Sequence, residues 1–204
     1  MSALLALVIA VGPSTSQQRD LAVPKSPLTL TLALFDYASV PSEWLSRAKE
    51  EMRQIYRDIG VEISWQGLNV DPKAPQPALI VLIRRSAASA AIPEGVVGFS
   101  SGSADERRRV AYVLYDRLNG FRLEQSPGIY RGKLLGYLMA HEVGHLLLPV
   151  QSHSAQGLMR AQWSRAELQL ALEGRLRFTD EQAQLIRSKI SRLALTAAGH
   201  TLEP

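Results

Sequence analysis

The chain has 204 residues, 46% of them hydrophobic, enough for one well-packed domain and short for two. It contains no cysteine, which excludes disulfides, thiolate metal sites and thiol nucleophiles together. Its net charge is +4, but the basic residues are scattered among acids, and the one dense cluster, Arg107-Arg108-Arg109, follows Asp105-Glu106, so no nucleic-acid partner is expected.

The first element is an unbroken apolar run, Ala3 to Val11, followed by the small and polar Gly12-Pro13-Ser14-Thr15-Ser16. It is too short to span a bilayer and resembles the core of a signal peptide, although no Lys or Arg precedes it. Residues 1–26 are therefore expected to be leader and linker, the protein to be secreted or periplasmic, and no stable membrane span to exist.

From Leu28 to Leu34 apolar residues alternate with small or polar ones, as in a half-buried strand. A helix fits residues 42–59, with Trp44, Ala48, Met52, Ile55, Tyr56 and Ile59 on one stripe and Gly60 at its end. Val61, Ile63 and Trp65 alternate again, giving a second strand, and a Pro-rich loop runs from Asp71 to Pro77. Ala78 to Ile83 is apolar throughout, which predicts a central strand buried on both faces. The Ala-, Ser- and Gly-rich segment Ser86 to Arg109 reads as loop around a short strand at Val96 to Ser100. Val110 to Tyr115 is a fifth strand, and Asn119-Gly120 marks a turn.

A long helix is expected from Tyr130 to about Leu148, burying Leu134, Leu138 and Leu146 and stopped by Pro149. Ser164 caps a following helix, and Thr179 with Gln182 forms a capping-box pattern for a last one carrying Leu185, Ile186, Ile190 and Leu193.

Three of the four histidines fall between positions 141 and 153. His141 and His145 stand one helical turn apart, so both can direct a ring nitrogen to a single ion. Glu142 projects beside that ion, where a carboxylate can take a proton from a zinc-bound water. His153 is the nearest candidate for a third ligand, which leaves a fourth position open to the water. Without cysteine, the metal must be held by nitrogen and oxygen. The fourth histidine, His200, reads as an ordinary residue.

On these residues the chain resembles the metzincin clan of zinc metallopeptidases. The order of elements is similar, His141, Glu142 and His145 fit the clan's helix motif, His153-Ser154 resembles its third ligand, and Gly157-Leu158-Met159 resembles its Met-turn. Two positions depart from the pattern: Leu148 stands where the clan turns on a glycine, and Gln151 stands where it places the third histidine. His153 comes two residues late, so a longer loop must deliver it. A competing arrangement, similar to gluzincins, takes the third ligand from a glutamate downstream, Glu167 before Glu173; otherwise both are surface acids that Arg165 or Arg175 would pair.

The resemblance implies an α+β zincin fold: a mixed, twisted sheet with a backing helix, an active-site helix and a helical C-terminal part. It implies a single domain over 27–204, with subdomains 27–148 and 149–204. The expected activity is that of a zinc-dependent metalloendopeptidase with one catalytic Zn2+, acting on protein or peptide substrates, and a monomer is favoured over an oligomer. Substrate would lie extended along an edge strand, either Val96 to Ser100 or near Val110. The altered spacing after His145 motivates a second reading, an inactive zinc-binding domain that binds another protein outside the cell. Glu142 argues against it, since a structural site needs no base.

Overall fold

The alternation that begins at Leu28 runs on to Asp36, and this strand, β1 (Leu28–Asp36), is the hub of the sheet. β2 (Val61–Gln66) and β3 (Leu79–Arg84) flank it in parallel. β5 (Arg109–Leu114) joins β3 in parallel, and β4 (Gly98–Gly102) lies antiparallel to β5, giving the order β2-β1-β3-β5-β4. β5 is thus interior, so the neighbourhood of Val110 is not an edge, and β4 is.

In this computed structural model the described residues are 28–67, 79–86, 92–93, 95–102, 109–121, 128–149 and 152–197. The expected leader 1–26, the Pro-rich loop at Asp71, Arg107-Arg108, Gln151 and His200 lie outside them.

Two helices pack against each other and cover the sheet, α1 (Ser42–Arg57) over β2 and α2 (Gly128–Leu147) over β3, β5 and β4. The sequence stripe of α1 buries Ala48, Met52, Ile55 and Tyr56 completely; burying such a large apolar side chain stabilises by about 1.5–3 kcal/mol. On α2 the facing positions are Gly132 and Gly136. A Cβ at Gly136 would sit 2.6 Å from the Ala48 carbonyl oxygen, and one at Gly132 would sit 2.8 Å from that of Trp44. Each glycine costs the helix about 1 kcal/mol relative to alanine, and the direct approach of two backbones offsets that cost.

β3 differs from its expected double burial: Leu79, Val81 and Ile83 are buried, while Ile80 and Leu82 are only partly so. One face of the strand packs under helices and the other does not, so the apolar run reflects β propensity as much as burial. Asn119-Gly120 is also not a simple turn. It lies in a 3-10 helix, Tyr115–Phe121, whose Arg117 guanidinium donates to the carbonyls of Ile92, Pro93 and Val96. That clamp holds the segment leading into β4.

Beyond α2 come α3 (Arg165–Glu173) and α4 (Asp180–Ala197). Thr179 and Gln182 form the expected capping box, Gln182 Oε1 accepting from Thr179 N–H at 3.0 Å and Thr179 Oγ1 accepting from Gln182 N–H at 3.3 Å. Both helices pack on α2, α4 also reaches β1, and an Arg177–Asp58 ion pair of 2.5 Å ties this part to the end of α1. Among the described residues no helix is long and apolar enough to cross a membrane.

Candidate metal centre

The C-terminal half of α2 carries polar groups where its other buried positions are apolar. His141 is 7% exposed and Glu142 is 4% exposed, in a stretch where Leu138, Met139 and Val143 are buried as well. Such burial has to be matched by partners.

His141 finds one in the main chain. Its Nδ1 donates to the Leu158 carbonyl at 2.8 Å, and the Trp163 indole N–H donates to the same oxygen at 3.1 Å. A carbonyl can only accept, so the proton of His141 stays on Nδ1 and Nε2 is left as a lone pair. That Nε2 lies 3.1 Å from Nε2 of His145, whose own Nδ1 is 2.8 Å from the Ser152 hydroxyl. His153 completes the cluster. Its ring centroid is 5.7 Å from that of His141 and 4.7 Å from that of His145, and one ligand atom from each of the three lies within 4.8 Å of the others.

This donor set fits a zinc ion. Two nitrogens bound tetrahedrally at 2.0–2.1 Å stand about 3.3 Å apart, close to the separation of the His141–His145 pair. Burial, and after it the neighbouring histidines, lowers both rings to about 4, against the opposing bond of His141 to the Leu158 carbonyl, so at neutral pH they are in the uncharged form that binds metal. His153 is the exposed member, at the mouth of the site.

Glu142 lies in the same cleft. Burial pushes its carboxyl up to about 8, and Oε2 has no hydrogen-bond partner. The carboxyl packs on the start of β4: a Cβ at Gly98 would come within 2.6 Å of Oε1 and 2.8 Å of Cδ. The cleft above holds about 950 Å³ and is lined by the apolar Val97, Phe99, Phe121 and Leu138 and by Arg160 and Trp163.

Met159 is fully buried beneath the helix motif. Its turn is set by Gly157, at φ 79°, and by Ser154 N–H donating to the Met159 carbonyl at 3.0 Å. A Cβ at Gly144 would stand 2.6 Å from the methionine sulfur, so the glycine between Glu142 and His145 lets that turn close under the helix. α2 itself ends at Leu147, and Leu148 still donates to the Gly144 carbonyl, so the longer connection to His153 starts from the buried Leu148.

Glu167 is placed away from the imidazoles. It is the N3 residue of a capping box with Ser164, accepts from Arg160 at 2.7 Å, and is held down at about 2 chiefly by the Ser164 hydroxyl and N–H and then by Arg160. Glu173 bonds Gln169 and Arg175 on the surface. Neither glutamate belongs to the histidine group. The sequence carried the Ser-x-x-Glu capping signal at Ser164 and Glu167, and that signal accounts for Glu167 without a metal. Gly98, Ser152 and Trp163 were not singled out by any motif. Only Ser152, adjacent in sequence to His153, had a local reason for attention.

No protein-family model and no curated protein matches the sequence. Among solved structures, the crystal structure of archaemetzincin from Methanopyrus kandleri superposes with a TM-score of 0.52 at 16% identity, covering 83% of this chain and 99% of that one. Myroilysin aligns at 11% identity with a TM-score of 0.35, over 76% of this chain and 70% of that one. A parallel sheet with one antiparallel edge strand, two helices across it and a helical C-terminal part thus give this chain the α+β, metzincin-type fold that it shares with archaemetzincin.

Proposed function

We propose that the protein is a zinc metalloendopeptidase that hydrolyses protein or peptide substrates. The observation that carries this reading is Glu142, a carboxyl buried in a cleft beside three convergent imidazoles with one oxygen unbonded. A structural metal needs no base at that place. Among the described residues no fourth His, Asp or Glu joins the three histidines, which favours an open coordination position over an inert, fully ligated site.

His141, His145 and His153 would hold the ion. Bound zinc supplies Lewis-acid polarisation of a carbonyl and lowers the pKa of water at the site toward neutrality. Glu142 takes the proton from the attacking water and passes it to the leaving amine. The substrate chain lies extended beside β4, whose outer side has no neighbouring strand among the described residues, and gains main-chain hydrogen bonds there. The apolar run Ala3 to Val11 supports action outside the cytoplasm.

The test is zinc content together with cleavage of an unfolded protein such as casein. Wild type is expected to hold one zinc and cut; Glu142→Gln is expected to keep the zinc and lose about 10²–10⁴-fold in rate. Full activity in that variant overturns the reading.

A further inference from the structure

We infer that Ser152 is a positioning residue for the metal centre, its hydroxyl orienting His145 through Nδ1. The inference rests on the zinc reading of the three histidines and deepens it. Ser152 belongs to the segment between His145 and His153 that is two residues longer than the metzincin pattern, and it immediately precedes the third histidine. Its Oγ lies 2.8 Å from His145 Nδ1.

The two helix histidines are oriented by chemically different groups. His141 is fixed by the Leu158 carbonyl, which only accepts and so permits one tautomer. His145 faces a hydroxyl, which both donates and accepts. With no cation between them, two lone pairs 3.1 Å apart repel, and His145 relieves this by carrying its proton on Nε2 and donating it to His141. Ser152 then donates its own proton to the bare Nδ1. When an ion takes both Nε2 lone pairs, the proton of His145 must sit on Nδ1, and the same hydroxyl turns to accept it. A carbonyl at this place would oppose the first arrangement, and an ammonium the second. The hydroxyl satisfies His145 with and without metal while holding its ring in one plane. The added residues of the loop therefore do more than delay His153, because they bring the second imidazole its orienting group.

The test is the zinc affinity of the full chain, measured by competition with a chromophoric chelator, for wild type, Ser152→Ala and Ser152→Thr. Loss of such an outer partner typically weakens binding about 10–100-fold, and Ser152→Ala is expected to show this while the zinc-free protein still unfolds in one cooperative transition. Ser152→Thr keeps the hydroxyl and is expected to restore the affinity. Equal affinities in wild type and Ser152→Ala overturn the inference, and so does equal weakening in the alanine and threonine variants. Failure of wild type itself to bind zinc is a different result: it removes the metal reading on which the inference stands.

Discussion

Gly98 at the head of β4 is in direct contact with the carboxyl of Glu142: a single added Cβ would fall 2.6 Å from Oε1 and 2.8 Å from both Cδ and Cγ. The edge strand and the proposed base are therefore set against each other with no spare volume. Gly98→Ala must push the carboxyl out of its place beside the imidazoles. A displacement on the order of 1 Å at a reacting group costs about 10²-fold in rate. The expected result is a kcat reduced by about that factor with zinc content unchanged, read by steady-state kinetics beside metal analysis; an alanine variant with wild-type kcat would contradict the packing.

On the proposed reading, zinc is expected to raise thermal stability, because the ion would bind the folded cluster and not the dispersed chain. Free zinc at about 100 times Kd adds roughly 2.7 kcal/mol. His153→Ala should lose most of that increment, whereas Glu167→Gln should keep it, since Glu167 is bonded to Ser164 and Arg160. Melting curves with and without zinc decide between the two ligands.

Glu167 also gives the protein an acid limb. Its folded carboxyl is lowered from 4.5 to about 2, so the ionised form is the one that folding favours. The stability it confers is fully present above the unfolded value and is lost as pH falls from about 4.5 toward 2. Glu167→Gln is expected to be less stable than wild type at pH 7 and to lose less on acidification through that window, as measured by urea midpoints against pH.

At the helix crossing, Gly136→Val introduces a side chain whose Cβ alone would be 2.6 Å from the Ala48 carbonyl. Overpacking of this kind costs about 1–3 kcal/mol. The variant should unfold at lower urea with little change in zinc affinity, provided the helix motif stays in register. A wild-type midpoint would mean that α1 and α2 can separate freely.

Much of the fold was legible because its signals are local. The alternation at Leu30, Leu32 and Val61, the α1 stripe and the Thr179–Gln182 box each rest on periodicity or spacing within one element. The His141–Glu142–His145 half of the candidate site was legible for the same reason, since one helical turn brings the two imidazoles together. What escaped depends on distant parts of the chain meeting. Gly98 reads as one more glycine in a loop until β4 is laid against α2, and the Leu158 carbonyl carries no side-chain signal at all. Ile80 and Leu82 show the opposite failure, a strong local apolar signal on a face left partly open.

The double use of the Leu158 carbonyl, by His141 and by Trp163, also sets the order in which the chain can become competent. The first two imidazoles emerge on one helix, but the group that aligns His141 is made later, and its segment is anchored later still, where Leu158 N–H meets the Arg177 carbonyl at 2.7 Å. A nascent chain released after α2 would display the histidine pair without the fixed tautomer. Metal capture is thus expected near the end of synthesis, which would make ion uptake a marker of finished assembly.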